Sequence, residues 1–166
     1  AYDANGNRTH EGGVLVAQFD AQDRLQSRGG TSYRYTAHGT LREKVQGALT
    51  TRYGYDAFGR VTSRVDSPTG ITWTRAYESS SGRLDTQTIK KGTTTLVSTD
   101  LGYDIASNVI SRVLSVKTEA GANNVDSGTW TYEYADGANR MTKSTGPGSI
   151  GSTTYGYDGA GNRTSV

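Results

Sequence analysis

The residues that could catalyse a reaction or hold a metal are few and lie far apart in this sequence. His10 and His38 are the only histidines, and neither has a partner at the spacing of metal ligands. Cysteine is absent, which excludes disulfide bonds, cysteine-bound zinc and thiol nucleophiles. We interpret both histidines as solvated turn residues. The sequence therefore predicts no enzyme, no metal site and no cofactor.

A glycine motif with the spacing of dinucleotide-binding loops occurs at Gly146, Gly148 and Gly151. Such a site requires a buried strand before the motif and a helix after it. Residues 143–145 and 152–155 are rich in serine and threonine and predict neither element. We interpret this motif as a turn between strands.

The acidic residues recur in similar segments, whereas catalytic carboxylates act as one specific pair. Five times an Asp follows an aromatic residue, and in several of these segments a Gly stands three residues after the Asp. An Asp side chain accepts hydrogen bonds from backbone N–H groups that follow it, and Gly adopts the positive φ that a type I turn with a G1 bulge needs. These residues predict turn capping. They are Asp3, Asp20, Asp56, Asp104 and Asp158, with Gly6, Gly39, Gly59 and Gly161.

The aromatic residues show which elements carry these turns. In residues 51–61, alternation places Thr51, Tyr53 and Tyr55 on one face of a strand, and a second strand begins after Gly59. Each unit therefore predicts a β-hairpin, and about eight such units fill residues 1–166 as a single domain. We call the ring that precedes each turn the slot aromatic. The slot aromatics are Tyr2, Phe19, Tyr35, Tyr55, Tyr77, Tyr103, Tyr134 and Tyr157.

Some units depart from this pattern. Thr36 and Ala135 stand where other units have Asp, and Asp23 and Ser107 stand where others have Gly. Of these units, the one with Ser107 is the better candidate for a distorted turn. The unit that begins at Tyr77 carries one extra residue.

The connections between hairpins vary in length, and the longest, roughly from Lys117 to Gly128, is expected to project. Projecting loops are the usual place for binding. The rings are interpreted chiefly as cross-strand packing. The alternative is a sugar-binding platform, with Asn123, Asn124 and Trp130 as its candidate residues.

Composition narrows the function further. The hydrophobic fraction of 33% is low, but the regular placement of the rings argues against disorder. The net charge is +2 and the basic residues are spread along the chain, which argues against specific nucleic-acid binding. No apolar run is long enough for a membrane span, and no signal-peptide pattern opens the chain.

The motif Tyr-Asp-x-x-Gly-Arg/Asn resembles the YD repeat of bacterial Rhs proteins, insecticidal toxin complex C components, wall-associated proteins and teneurins. Residues 2–8, 55–61 and 157–163 carry it most clearly, and the resemblance covers essentially the whole chain. It implies an all-β fold in which tandem hairpins form a long, rolled antiparallel sheet, like a β-solenoid or shell. It also implies a secreted or cell-surface bacterial protein, with a toxin as a possible enclosed partner.

The autoproteolytic segment of that family carries a proline pattern that this chain lacks. Its two prolines are Pro68 and Pro147, and neither follows Asp. No catalytic residue is therefore transferred from the family to this sequence.

The ends of the sequence suggest how such a protein would assemble. The chain opens in the middle of a unit, without the first strand, and closes on a second strand. Uncovered terminal strands pair readily with other strands, so we expect partners among further YD repeats or identical copies. The predicted function is a non-enzymatic scaffold, as a shell segment or the subunit of an extracellular fibre or tube. The alternative is a surface adhesin module that binds carbohydrate or protein.

Overall fold

The computed structural model describes residues 1–117, 122–124, 126–135 and 137–166. Within these residues the chain forms β-strands and one short 3₁₀ helix, Gly148–Ile150, and no α-helix. The strands are β1 His10–Glu11, β2 Val14–Leu15, β3 Ala17–Phe19, β4 Leu25–Arg28, β5 Thr31–Tyr35, β6 Leu41–Gln46, β7 Leu49–Tyr55, β8 Val61–Ser67, β9 Ile71–Tyr77, β10 Leu84–Lys91, β11 Thr94–Tyr103, β12 Val109–Val116, β13 Gly128–Glu133, β14 Lys143–Thr145, β15 Ser152–Thr154, β16 Gly156–Tyr157 and β17 Arg163–Ser165.

The strands follow one another in chain order. In the described part of the chain, β3 to β15 are the thirteen strands of one sheet in sequential order, and β1–β2 and β16–β17 form two-stranded sheets. The pairs are antiparallel, as hairpins joined by short connections must be. The prediction of an all-β fold of tandem hairpins in a long antiparallel sheet is confirmed.

Two compact units make up the chain, Ala1–Thr74 and Arg75–Val166. In the first unit, Tyr53 of β7 lies opposite Arg64 of β8, so these side chains share a face of the sheet. In the second, Leu101 of β11 lies opposite Arg112 of β12. The period-two alternation read from the sequence therefore determines the faces in both units.

In five hairpins the tight turn is followed by an irregularity in the strand pair. Gly59 N–H donates to the Asp56 carbonyl at 3.0 Å and Asp56 N–H donates to the Arg60 carbonyl at 3.0 Å, which closes the turn. Beyond the turn, Tyr55 pairs with Val61, whereas Gly54 pairs with Ser63. The second strand therefore carries one extra residue, Thr62, between the two pairs. Such bulges increase the local twist of a strand. The same shift occurs at Phe19, Tyr35, Tyr103 and Tyr157.

Little of either unit forms an apolar core. Among the described residues, Ala17 is the only buried apolar side chain. Polar residues are buried instead: Thr51 donates a hydrogen bond to the carboxylate of Asp66 at 2.7 Å, and the carboxylate of Glu43 pairs with Arg52 at 2.8 Å. The strands are therefore held mainly by backbone ladders and cross-strand side-chain pairs.

Candidate functional site: the turns of successive hairpins

The polar residues that repeat from unit to unit are concentrated in the turns, and Asp56 illustrates the arrangement. Its Oδ1 accepts hydrogen bonds from the backbone N–H groups of Phe58 at 2.9 Å and Arg60 at 3.0 Å. Its Oδ2 accepts the Nε–H of Arg60 at 2.7 Å. Backbone and side-chain donors also surround the other four repeated aspartates, with Arg or Asn as the side-chain donor. These are Asp3, Asp20, Asp104 and Asp158.

These hydrogen bonds favour the charged carboxylate. At Asp104 the side-chain amide of Asn108 has the largest influence and lowers the pKa below its ordinary value. At Asp56 partial loss of water is the largest influence and opposes ionisation, but the hydrogen bonds from Arg60 and the backbone outweigh it and lower the pKa. The pKa is lowered in the same direction at Asp3, Asp20, Glu78 and Asp158.

The residue three positions after the Asp adopts a left-handed backbone, which explains the repeated glycine. Gly59 has a φ of 78°, and Asp23 and Ser107 at the same position have φ values of 60° and 70°. The turn at Ser107 is not distorted, contrary to the expectation from sequence. Ser107 N–H still donates to the Asp104 carbonyl at 3.1 Å, because the hydrogen bonds to Asp104 hold the turn in its repeat conformation. Gly6, Gly39 and Gly161 have φ values of 86°, 86° and 88°.

Several turns are also connected to the turn of the neighbouring hairpin. The Tyr103 hydroxyl donates to the carbonyl of Leu84 in the preceding hairpin at 2.7 Å. Arg83 lies over the Tyr103 ring at 4.5 Å and donates to the Asp104 carbonyl at 3.0 Å. The arginine therefore belongs to two turns, since it also pairs with Glu78 of its own turn at 2.8 Å. Tyr35 with Leu25 and Arg24, and Tyr157 with Met141 and Arg140, repeat this arrangement.

Where a turn carries Asn in place of Arg, a side chain of the next turn forms the contact between the two turns. The side-chain amides of Asn5 and Asn7 donate to the carboxylate of Asp23 at 2.7 and 2.8 Å. Likewise, Asn108 donates to the side-chain oxygen of Asn139 at 2.6 Å. Both acceptors occupy the glycine position of their own turns, with φ values of 60° and 59°. The sequence analysis missed this coupling, although Asn at one position followed by Asp or Asn in the next unit is a readable signal.

A second missed feature is the glycine that precedes several slot aromatics. A Cβ atom added at Gly54 would overlap the hydroxyl of Ser63, which lies opposite on the partner strand. Gly102 has the same relation to Ser111. The signal in the sequence is a Gly-Tyr pair followed by Ser eight residues after the tyrosine.

The residues predicted to form a binding loop are engaged with their own chain. Asn123 accepts a hydrogen bond from Lys117 at 2.6 Å, and Asn124 accepts the backbone N–H of Asp126 at 3.0 Å. The indole N–H of Trp130 donates to the Asp126 carbonyl at 3.1 Å. Residues 118–121 and 125 of the predicted loop lie outside the described residues.

The other candidate sites of the sequence lie apart from one another. His38 is exposed at a turn, whereas His10 lies in β1, not in a turn, with its Nδ1 3.0 Å from the Thr9 hydroxyl. Residues 146–151 connect β14 to β15, so a strand follows the glycine motif. Within the described ranges, no three potential ligands gather as a metal site. No helical segment there has the length and apolar character of a membrane span.

These features define a class: an antiparallel protein of tandem hairpins whose capped turns are connected one to the next. No protein-family model matches the chain, and no curated protein matches it significantly. The crystal structure of TcdB2-TccC3-Cdc42 matches 99% of this chain at a TM-score of 0.67 and 21% identity. The Tc holotoxin pore of Photorhabdus luminescens and TcdB2-TccC3 each match 99% at a TM-score of 0.68 and 20% identity.

The chain spans only 8 to 9% of the length of the chains that it matches. At this level of identity the comparison establishes the fold. The chain has the YD-repeat, Rhs-like fold of these toxin-complex structures.

Proposed function

We propose that this chain is a non-enzymatic structural scaffold, a wall segment made of YD-repeat hairpins in a secreted or cell-surface bacterial protein. The observation that carries the proposal is the repeated connection from turn to turn. The same hydroxyl-to-carbonyl bond and the same stacked arginine occur at Tyr35, Tyr103 and Tyr157. A contact that recurs in several units along the chain suits an extended wall, whereas a catalytic site needs one unrepeated constellation.

The partners of such a wall are further strands of the same kind, and an enclosed toxin is a possible cargo. The edge of β15 illustrates how strands would add. Tyr155 N–H donates to the carbonyl of Thr142, which directly precedes β14, and the Gly146 N–H donates to the Gly151 carbonyl. Because hydrogen-bonded pairs alternate in an antiparallel ladder, the N–H of Thr154 points away from β14. This donor is available to an added strand.

The test compares Thr154→Pro with Thr154→Ala by light scattering and negative-stain microscopy. Wild type is expected to form larger, regular assemblies as its concentration rises. Proline removes the outward donor and should reduce assembly, whereas alanine keeps the donor and should leave it unchanged. A well-folded wild-type monomer at high concentration would contradict the proposal, and so would equal assembly of the two variants.

A fibre or tube of identical subunits is the second form that this scaffold could take, and microscopy of the same samples distinguishes it from a hollow particle. The adhesin alternative has weaker support at Asn123, Asn124 and Trp130. Their polar groups already bond within the chain, and Arg112 lies 5.2 Å over the Trp130 ring. Glycan-array binding that disappears in Trp130→Ala, with the fold intact, would restore that alternative.

A further inference from the structure

One pair of neighbouring turns lacks the arginine that connects its counterparts. Thr40 occupies the position that precedes Leu41, where other turns carry the stacked arginine. Its hydroxyl lies 2.7 Å from the hydroxyl of Thr36 in the same turn, and Thr36 replaces the capping Asp. No arginine of the described residues stacks on Tyr55, the next slot aromatic, although its hydroxyl still donates to Leu41 at 2.7 Å. The ring that receives a guanidinium elsewhere is therefore open here.

The next turn does not compensate for the missing side chain. In two other pairs of turns, Asp23 or Asn139 reaches back from the glycine position of the following turn. Here that position is Gly59, which has no side chain. The result is a cleft of about 800 Å³ between the two turns, within the size range of small-molecule sites. Its lining includes His38, Thr40, Arg42, Tyr53, Tyr55 and Phe58.

The cleft contains one cation, several hydroxyl groups and an exposed ring. Arg42 is exposed, and its guanidinium makes no hydrogen bond or ion pair within the described part of the chain. The hydroxyl of Tyr53 likewise has no hydrogen-bond partner among the described residues, and Thr36 and Thr40 contribute two further hydroxyls. The Phe58 side chain is 84% exposed, with Arg60 5.1 Å from the centre of its ring.

We infer that this cleft binds an acidic sugar residue, such as a uronic acid of a glycan. One unpaired guanidinium suits one carboxylate, which it can bind through two parallel hydrogen bonds. The hydroxyls of Tyr53 and Thr40 suit the hydroxyls of a sugar, and Phe58 offers a flat apolar surface to a sugar ring. A cationic ligand is disfavoured because Arg42 already supplies positive charge, and Asp56 is paired with Arg60.

The test measures binding of a galacturonate trisaccharide, the neutral galactose trisaccharide and an acidic peptide by titration calorimetry. The wild-type protein is expected to bind the galacturonate probe at least about tenfold more tightly than the other two. Arg42→Gln and Phe58→Ala should each weaken that binding by about tenfold or more. Arg28→Gln and Ile105→Ala remove an exposed charge and an exposed apolar side chain elsewhere, and should leave binding unchanged.

The decisive variant restores the repeat pattern with Thr36→Asp and Thr40→Arg together. The new arginine should lie over Tyr55, as Arg24 lies over Tyr35, and fill the cleft. We expect this variant to resist urea at least as well as wild type while losing the galacturonate probe. Unchanged binding in this variant would overturn the inference, as would no binding by wild type, equal binding of the neutral probe, or binding of the acidic peptide alone. The inference is independent of the scaffold proposal, which is tested by assembly and not by glycan binding.

Discussion

The phenol of Tyr103 connects two hairpins through a single hydrogen bond. It donates to the Leu84 carbonyl at 2.7 Å, while its ring packs under Arg83. Partial loss of water raises the pKa of Tyr103, so the phenol stays a donor at neutral pH. Because few apolar side chains of the described residues are buried, contacts of this kind add to the backbone ladders in holding one hairpin to the next.

At this residue, Tyr103→Phe removes the hydroxyl and keeps the ring. We expect the free energy of unfolding to fall by about 1 kcal/mol, because a part-buried carbonyl loses its donor. Tyr53→Phe is the matched control, since that hydroxyl has no partner among the described residues, and it should change stability little. Urea unfolding measures both variants. Equal losses would show that the inter-hairpin bond contributes nothing.

In the turns, residues other than Gly at the glycine position should lower the stability of the protein. Ser107 and Asp23 both adopt positive φ, which costs a residue with a Cβ atom free energy that Gly avoids. Ser107→Gly relieves this strain and removes a hydroxyl that accepts only a 3.3 Å hydrogen bond from Arg83, so it should raise the free energy of unfolding by about 0.5 kcal/mol. Asp23→Gly relieves the same strain but removes the acceptor of Asn5 and Asn7, so its gain should be smaller or absent. Identical gains in thermal unfolding would contradict the coupling between turns.

In the strand pairs, the glycine before a slot aromatic leaves room for the serine opposite it. Gly54→Ala places a methyl group against the Ser63 hydroxyl and should lower the free energy of unfolding by about 1 kcal/mol. In the background of Ser63→Ala the obstacle is gone, because the added Cβ would lie 3.6 Å from the Ser63 Cβ, an ordinary contact. The double-mutant cycle should therefore give a coupling energy of at least about 0.5 kcal/mol. Additive effects would show that the two positions are independent.

For the whole molecule, the capped carboxylates predict sensitivity to acid. Groups whose pKa is lowered on folding contribute stability that is fully present above their unfolded pKa of about 4, and that is lost as pH falls through the lower folded pKa. Urea midpoints should be constant from about pH 7 to 5 and should fall below about pH 4. Asp104→Asn should flatten this fall. A midpoint that is independent of pH in the acid range would contradict the turn-capping account.

Local chemistry was sufficient to predict much of this protein. Alternation at Thr51, Tyr53 and Tyr55 determines a strand face, and a capping Asp followed by Gly determines a turn, because each depends only on residues close in the chain. The hairpins, their sequential order and the all-β fold were therefore predictable. The undistorted turn at Ser107 was not predictable, because Arg83 of the preceding hairpin also contacts it, donating to the Asp104 carbonyl at 3.0 Å and to the Ser107 hydroxyl at 3.3 Å.

The sequence by itself determined the repeated unit: a ring, a capped corner and two short strands, which nearest neighbours along the chain specify. Only the tertiary structure decided how one unit meets the next. It assigned Arg83 to the ring of Tyr103, matched Asn7 with Asp23, and left a cleft beside Thr40. The physical reason is that these contacts join residues many positions apart, and their partners depend on the register in which successive strands pair.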